Sequence, residues 1–302
     1  MGRERIFITD VSPRDGLQNQ AVPVSTADKL ELVRRLAAAG VGSVEATSFV
    51  SPRAVPQMAD AADLLPQIHA ALPALRVSAL VPNQKGLERA LAAGAREVAV
   101  VLSATETMNQ KNINMGLAQA TDVSVATLQQ ARALGLATRA YVAVAFECPF
   151  EGAVPADRVI ALAQRMAAAG AQEIVVADTI GAAAPAEAKR RLGALLQALP
   201  GHALAVHFHD TRGLGTALAW AALEAGIRRF DASAGGIGGC PFAPGAAGNL
   251  ATEDLVLLAE GCGFDTGISQ TGLLQAVDHA QAVLGRVLGG RSSAWLRRQL
   301  AR

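Results

Sequence analysis

His207 and His209 close the run Ala203-Leu-Ala-Val-His-Phe-His-Asp210, and their types and spacing suit them to chemistry. A short apolar run of this kind reads as a buried β-strand, in which side chains alternate between faces, so the two imidazoles share one face. At a strand's C-terminal end such a pair is able to grip one divalent cation from one side. The other reading is a pair of hydrogen-bonded histidines near a strand end. The chain has five histidines in all, and two of them stand here. What decides between the readings is whether other donors converge on the same point.

The elements that must bring them together follow a repeat. Ile6 to Val11 reads as a strand, and Ser12 to Asn19 as a turn-rich segment broken by Pro, Asp-Gly and Asn. Ser25 then caps a helix, with Asp28 as its capping-box partner, and the helix stops at Ala39-Gly40 ahead of a strand at Ser43 to Thr47. The same succession returns around Gly94, Gly170 and Gly226: a helix end, a glycine in the left-handed cap, then a strand two or three residues later. Eight strands begin near residues 6, 43, 75, 97, 138, 173, 203 and 229, each followed by a helical pattern. This predicts an α/β protein with a TIM (β/α)8 barrel; a doubly wound sheet is the alternative. We expect one catalytic domain over residues 1–302, with the barrel at about 5–266 and a helical extension at about 267–302. The helical pattern from Leu273 to Leu288 is expected against the barrel's outside or at a dimer contact.

Composition narrows the function. Hydrophobic residues make up 51% of the chain, enough for a large core, and the net charge is +1 with no basic or acidic run. That argues against a nucleic-acid footprint and a polybasic membrane patch. Cys148, Cys240 and Cys262 are sparse and lack CxxC spacing, so neither a disulfide framework nor a zinc knot is expected. Met1 to Ile6 has no apolar core of a secretory signal, and no apolar run is long enough to span a membrane. The expectation is a cytoplasmic protein.

In a TIM barrel the active site lies at the C-terminal ends of the strands. There the first strand delivers Arg14 and Asp15, the second Glu45, Thr47 and Ser48, and the fifth Tyr141. The sixth delivers Asp178 and Thr179, and the seventh the two histidines. Each has a plainer alternative. Asp15-Gly16 is a usual turn pair, Arg14 is able to pair with Glu45 or Asp178, and Asn249 is able to cap the helix beginning near Thr252. Jointly the plain readings fare worse, because structural accidents have no reason to gather at one end of a barrel. After the eighth strand comes a glycine-rich loop, Gly235 to Asn249. It lacks the surrounding unit and the downstream acidic residue of a dinucleotide fingerprint. It reads as a mobile lid with Cys240 exposed at its tip, while Cys148 and Cys262 read as packing residues.

Several longer segments are specific: Pro13-Arg-Asp-Gly-Leu-Gln-Asn19, Thr47-Ser-Phe-Val-Ser-Pro52, Lys111-Asn-Ile-Asn114, Asp178-Thr-Ile-Gly181, Ala205-Val-His-Phe-His-Asp-Thr211 and Gly238-Gly-Cys-Pro-Phe-Ala-Pro-Gly-Ala-Ala-Gly-Asn249. Through them the chain, from about Ile8 to Gly267, closely resembles the 3-hydroxy-3-methylglutaryl-CoA lyases of a metal-dependent TIM-barrel lyase and synthase superfamily. The resemblance implies a divalent metal, Mg²⁺ or Mn²⁺, held by Asp15, His207, His209 and Asn249. It implies Arg14 and Cys240 as catalytic residues and Glu45, Asp178 and Tyr141 as further active-site positions. Arg14, Gln18 and Ser48 are expected to meet an acyl-CoA substrate. It also implies a homo-oligomer, and a place in leucine degradation or a related catabolic route. Lys85, Lys111 and Asn112 read as loop residues of the same face that would meet the phosphates of CoA, or as plain solvated side chains. The tail beyond about Val283 departs from animal members, lacking their terminal cysteine.

The implied reaction cleaves a β-hydroxy acyl-CoA between C2 and C3. Rival readings are a lyase of the same chemistry on citramalyl-CoA or an isoprenoid-derived hydroxyglutaryl-CoA, a Claisen-type synthase, a 2-oxo-acid aldolase, and a binding protein on an inactive barrel. The synthases and aldolases are not expected to carry Gly239-Cys240-Pro241.

Overall fold

The computed structural model describes residues 2–239 and 248–300. Eight parallel strands close into a barrel in sequential order: β1 (Phe7–Asp10), β2 (Ser43–Ser48), β3 (Arg76–Leu80), β4 (Glu97–Ser103), β5 (Ala137–Ala143), β6 (Glu173–Asp178), β7 (Ala203–Phe208) and β8 (Arg229–Ala232). The expected TIM barrel is present, and all eight predicted strand starts fall within two residues of the observed ones. Helices packed outside cover the strands, so the main core lies between barrel and helices, with residues such as Val33, Leu36, Val98, Ile174, Leu218 and Leu255 fully buried.

Local sequence sets these elements. The Ser25 hydroxyl accepts the Asp28 N–H at 3.1 Å and donates to the Asp28 carboxylate at 2.6 Å, starting the helix Thr26–Ala38. Gly40 follows that helix at φ +98°, and a Cβ there would lie 2.3 Å from the Gly267 carbonyl oxygen, so both conformation and space require glycine. The turn-rich segment after β1 is tighter than expected. Ser12–Gly16 forms a single π-helical turn in which the N–H groups of Arg14, Asp15 and Gly16 all point at the Val11 carbonyl.

The extension consists of two helices, Gln270–Leu284 and Ser293–Leu300. The first packs on Thr26–Ala38, where His279 Nε2 meets the Asp28 carbonyl at 2.9 Å. The link between them is gripped by the first turn of helix Thr252–Gly261. The Glu253 carboxylate accepts the Gly290 N–H, and Asp254 accepts those of Arg291 and Ser292, at 2.7–2.8 Å. Among the described residues no helix is long and apolar enough to cross a membrane.

Inside the barrel one layer is apolar, built from Leu80, Ala99, Val175 and Ala205 around the Tyr141 ring. Charges thread past it. Arg139, almost fully buried, donates to Glu173 and to Asp231 at 2.6 Å each, and Arg76 forms a two-pronged pair with Glu97. Burial of Arg139, Glu97, Glu173 and Asp231 is sustained by this pairing.

Candidate active site and metal position

The histidines stand where alternation places them, at the C-terminal end of β7. His207 Nε2 and His209 Nε2 lie 3.2 Å apart, and both rings are buried. His209 forms a backbone bridge with Asn249, which brings the chain returning after the glycine-rich loop against β7. The π turn after β1 supplies Asp15 from the opposite side. One ligand atom each from Asp15, His207 and His209 all fall within 4.8 Å of one another.

Asn249 stands against this group through Asp15. Its amide nitrogen donates to Asp15 Oδ2 at 2.8 Å and to the Ile237 carbonyl at 3.0 Å, while its Oδ1 is buried without a hydrogen-bond partner. A buried orphan acceptor calls for a missing donor or cation. Two imidazole nitrogens, a carboxylate and an amide oxygen form an N/O donor set that fits a divalent ion such as Mg²⁺ or Mn²⁺. Asn249 does not cap the following helix, whose N-cap is Ala251 without a side-chain bond. Gly238 is needed beside it: at φ +130° a Cβ would sit 2.5 Å from Asn249 Nδ2.

Electrostatics favour the ligating states of His209 and Asp15, and oppose that of His207. Burial, together with neighbouring His207, lowers the His209 pKa to about 3, keeping that ring neutral. Burial would lower His207 too, but Asp231 and Asp15 outweigh it and raise its pKa. For Asp15 burial pushes up, and Arg14 and the two histidines overcome it, holding the carboxyl below its ordinary range. A ligating carboxylate is therefore ionised at neutral pH.

Arg14 is clamped on two sides. Its Nε donates to Glu45, and its Nη1 donates to Asp15 Oδ1 at 2.7 Å. The plain expectation of a Glu45 pair is thus met in the same geometry that places Arg14 next to the metal position. Glu45 Oε2 lies 3.2 Å from the Tyr141 hydroxyl, which accepts from Arg139 Nη1 at 3.1 Å and approaches Asp231 Oδ2 at 2.7 Å. The phenol has one proton, and the nearer Asp231 takes it. Gln18 is half-buried and reaches Asp15 Oδ1 at 3.4 Å.

Other expected residues take different places. Ser48 is fully buried and its Oγ has no partner. Thr47 turns away from the site: a register shift in β2 between Glu45 and Thr47 reverses the alternation, and its hydroxyl faces the Met58 sulfur at 3.9 Å. Asp178 uses both carboxylate oxygens on the N–H groups of Ala182 and Ala183, at 2.9 and 3.0 Å, shaping the loop after β6; burial raises its pKa. Lys85, Lys111 and Asn112 are on helices rather than loops, in the first turn of Gln84–Ala92 and the last turn of Glu106–Ile113. Cys148 is buried against the Thr105 hydroxyl and Cys262 is half-buried. Cys240 and the proposed lid around it, residues 240–247, lie outside the described residues.

Sequence reasoning missed Asp231 and Arg139. Asp231 follows Phe230 on β8 and pairs in register with His207, and its Oδ2 lies 3.5 Å from His207 Nδ1. A charged residue in the interior of each strand, Arg139 in β5 and Asp231 in β8, was the available signal.

Comparison with known proteins gives the family and the fold. Residues 5–279 match the HMGL-like family model. The chain is 42% identical over 289 residues to the hydroxymethylglutaryl-CoA lyase of Bacillus subtilis, covering 96% of each. It is similar to the crystal structure of hydroxymethylglutaryl-CoA lyase from Pseudomonas aeruginosa, with a TM-score of 0.94 at 39% identity over 99% of this chain and 100% of that one. An HMG-CoA lyase from Acinetobacter baumannii, in complex with coenzyme A and 3-methylmalate, gives a TM-score of 0.91 at 39% identity, over 96% of this chain and 94% of that chain.

Proposed function

The chain belongs to the HMGL-like family, and from that premise we propose that it is a metal-dependent carbon–carbon lyase that cleaves 3-hydroxy-3-methylglutaryl-CoA to acetyl-CoA and acetoacetate. The observation that carries the reading is the convergence of Asp15, His207, His209 and the orphan Oδ1 of Asn249 beside a clamped Arg14. Names of relatives over nearly the whole chain support the substrate, and the coenzyme A complex of the Acinetobacter relative supports an acyl-CoA.

The reaction removes the proton of the C3 hydroxyl, breaks the C2–C3 bond and leaves the electron pair as a thioester enolate. C3 becomes the ketone of acetoacetate, and protonation at C2 yields the acetyl methyl group. A bound Mg²⁺ or Mn²⁺, held by Asp15, His207, His209 and Asn249, would supply positive charge that favours loss of the hydroxyl proton. Arg14 has Nε and Nη1 committed to carboxylates, and its remaining Nη2 hydrogens are free among the described residues to meet the enolate oxygen. Because Glu45 and Asp15 fix the guanidinium plane, that donor is preorganised. Gln18 and the unpartnered Ser48 hydroxyl offer polar contacts to substrate. Cys240 is assigned the proton exchange with C2. Asp178 is assigned the shaping of the β6 loop around the substrate.

The test is a coupled assay of acetyl-CoA release on 3-hydroxy-3-methylglutaryl-CoA, citramalyl-CoA and a longer hydroxyglutaryl-CoA. The reading expects the first to have the highest kcat/KM; a preference for either of the others overturns the substrate and keeps the reaction class.

A further inference from the structure

We propose that Asp231 is a positioning residue: anchored by Arg139 and Tyr141, its Oδ2 holds the proton of His207 on Nδ1 and so turns the Nε2 lone pair toward the point shared with His209 and Asp15. This rests on the metal reading of the site.

Three observations carry it. The register of β7 and β8 sets Asp231 directly beside His207, so the approach of Oδ2 to Nδ1 at 3.5 Å is fixed by backbone pairing. That distance is longer than an ordinary hydrogen bond, and the carboxylate is prevented from drifting further. Arg139 Nη2 binds Oδ1 at 2.6 Å and the Tyr141 hydroxyl binds Oδ2 at 2.7 Å, all three side chains being buried. Arg139 is itself tied to Glu173 at 2.6 Å. The third observation is the contrast between the rings. Both Nδ1 atoms are buried and neither closes a hydrogen bond, but that of His207 has the Asp231 carboxylate at 3.5 Å. An imidazole whose far nitrogen faces a fixed acceptor presents its near nitrogen as a ligand, and loss of such a partner weakens metal affinity by roughly 10–100-fold.

The same carboxylate links the two halves of the site. The Tyr141 hydroxyl, bonded to Asp231, packs 3.2 Å from Glu45 Oε2, and Glu45 in turn holds Arg14. The histidine side and the arginine side thus share one buried support.

The experiment is a Mn²⁺ titration of the full chain, followed by electron paramagnetic resonance of free Mn²⁺, for wild type, Asp231→Asn, His207→Ala and the double variant. Asp231→Asn should weaken Mn²⁺ binding by about 10-fold or more, and should add nothing further when His207 is already Ala. A change below about twofold, or an equal loss in the His207→Ala background, overturns the proposal, the latter because the effect would then be structural. Nitrogen spectra of ¹⁵N-histidine wild-type chain at mildly alkaline pH decide the matter if Asp231→Asn does not fold. The proton of His207 is expected on Nδ1, and a proton on Nε2 overturns the assignment. Wild type that binds no Mn²⁺ removes the metal reading, and the ring spectrum then judges Asp231 separately.

Discussion

His207 Nε2 and His209 Nε2 face each other at 3.2 Å across a point that Asp15 also reaches. If both rings carry their protons on Nδ1, two lone pairs meet head-on, an arrangement that a cation between them relieves. Chelation should therefore abolish turnover, and Mg²⁺ or Mn²⁺ should restore it. His207→Ala should weaken metal binding, whereas His202→Ala should not, because His202 is exposed just before β7. Full activity after exhaustive chelation would refute the assignment.

Arg14→Lys keeps a positive charge and loses the planar fork that Glu45 and Asp15 hold. If Arg14 stabilises the enolate, kcat should fall at least ~10²-fold while Mn²⁺ affinity stays within a few-fold of wild type. A near-native kcat would leave Arg14 a purely structural partner of Glu45.

Gly238→Ala puts a methyl group against the Asn249 amide in a backbone conformation that L side chains rarely adopt. Strain of about 1–3 kcal/mol should displace Asn249, lowering both Mn²⁺ affinity and kcat with the barrel still folded by circular dichroism. Gly94→Ala is the control: its φ is also positive, but its Cβ would meet nothing within 4 Å. It should lower stability without changing metal affinity.

Tyr141 is the sole tyrosine, so the ultraviolet signal of tyrosinate reports one residue. Burial raises its pKa well above the ordinary value; Asp231 and Glu45 push the same way, against the arginines. The folded chain keeps this proton where the unfolded chain, with a pKa near ~10, gives it up. The contribution to stability is full below that value and is lost as pH rises above it. Alkaline titration should show no tyrosinate until the protein unfolds, the two transitions coinciding. Tyrosinate appearing in folded protein near the ordinary pKa would contradict the buried network.

Cys240→Ser tests the proposed catalytic thiol. An alcohol is far less acidic than a thiol of pKa ~8.5, so a proton-transfer role predicts a steep loss of kcat with metal binding intact. Alkylation should inactivate wild type and bound substrate should protect it, while Cys148→Ser and Cys262→Ser should remain active. Retention of most of kcat in Cys240→Ser removes the catalytic thiol.

The barrel was legible because its αβ joints are repetitive: Gly40, Gly94, Gly170 and Gly226 all adopt the positive φ that the pattern predicts. His207 and His209 were legible because alternation is a local rule. Thr47 was misplaced because a bulge breaks that rule without a glycine or proline to mark it. Asp231 escaped notice because its partners, Arg139, Tyr141 and His207, come from strands far apart in sequence and meet only when the barrel closes. The role of Asp178 as a loop acceptor depends on backbone N–H groups, which carry no residue signature.

The irregularity in β2 has a consequence for how this chain tolerates change. A strand acts as a parity counter, odd positions to one side and even to the other, and the bulge resets the count between Glu45 and Thr47. Deleting Ala46 would remove the extra residue, and regular alternation from Glu45 would then keep Thr47 toward Met58 and Ser48 inward, whereas deleting Val44, below the bulge, would set Glu45 and the residues beyond it against the opposite parity. A single-residue length change is therefore absorbed at the bulge and is a substitution in disguise elsewhere on the strand, where it rewrites which side chain enters the barrel without altering any residue's identity.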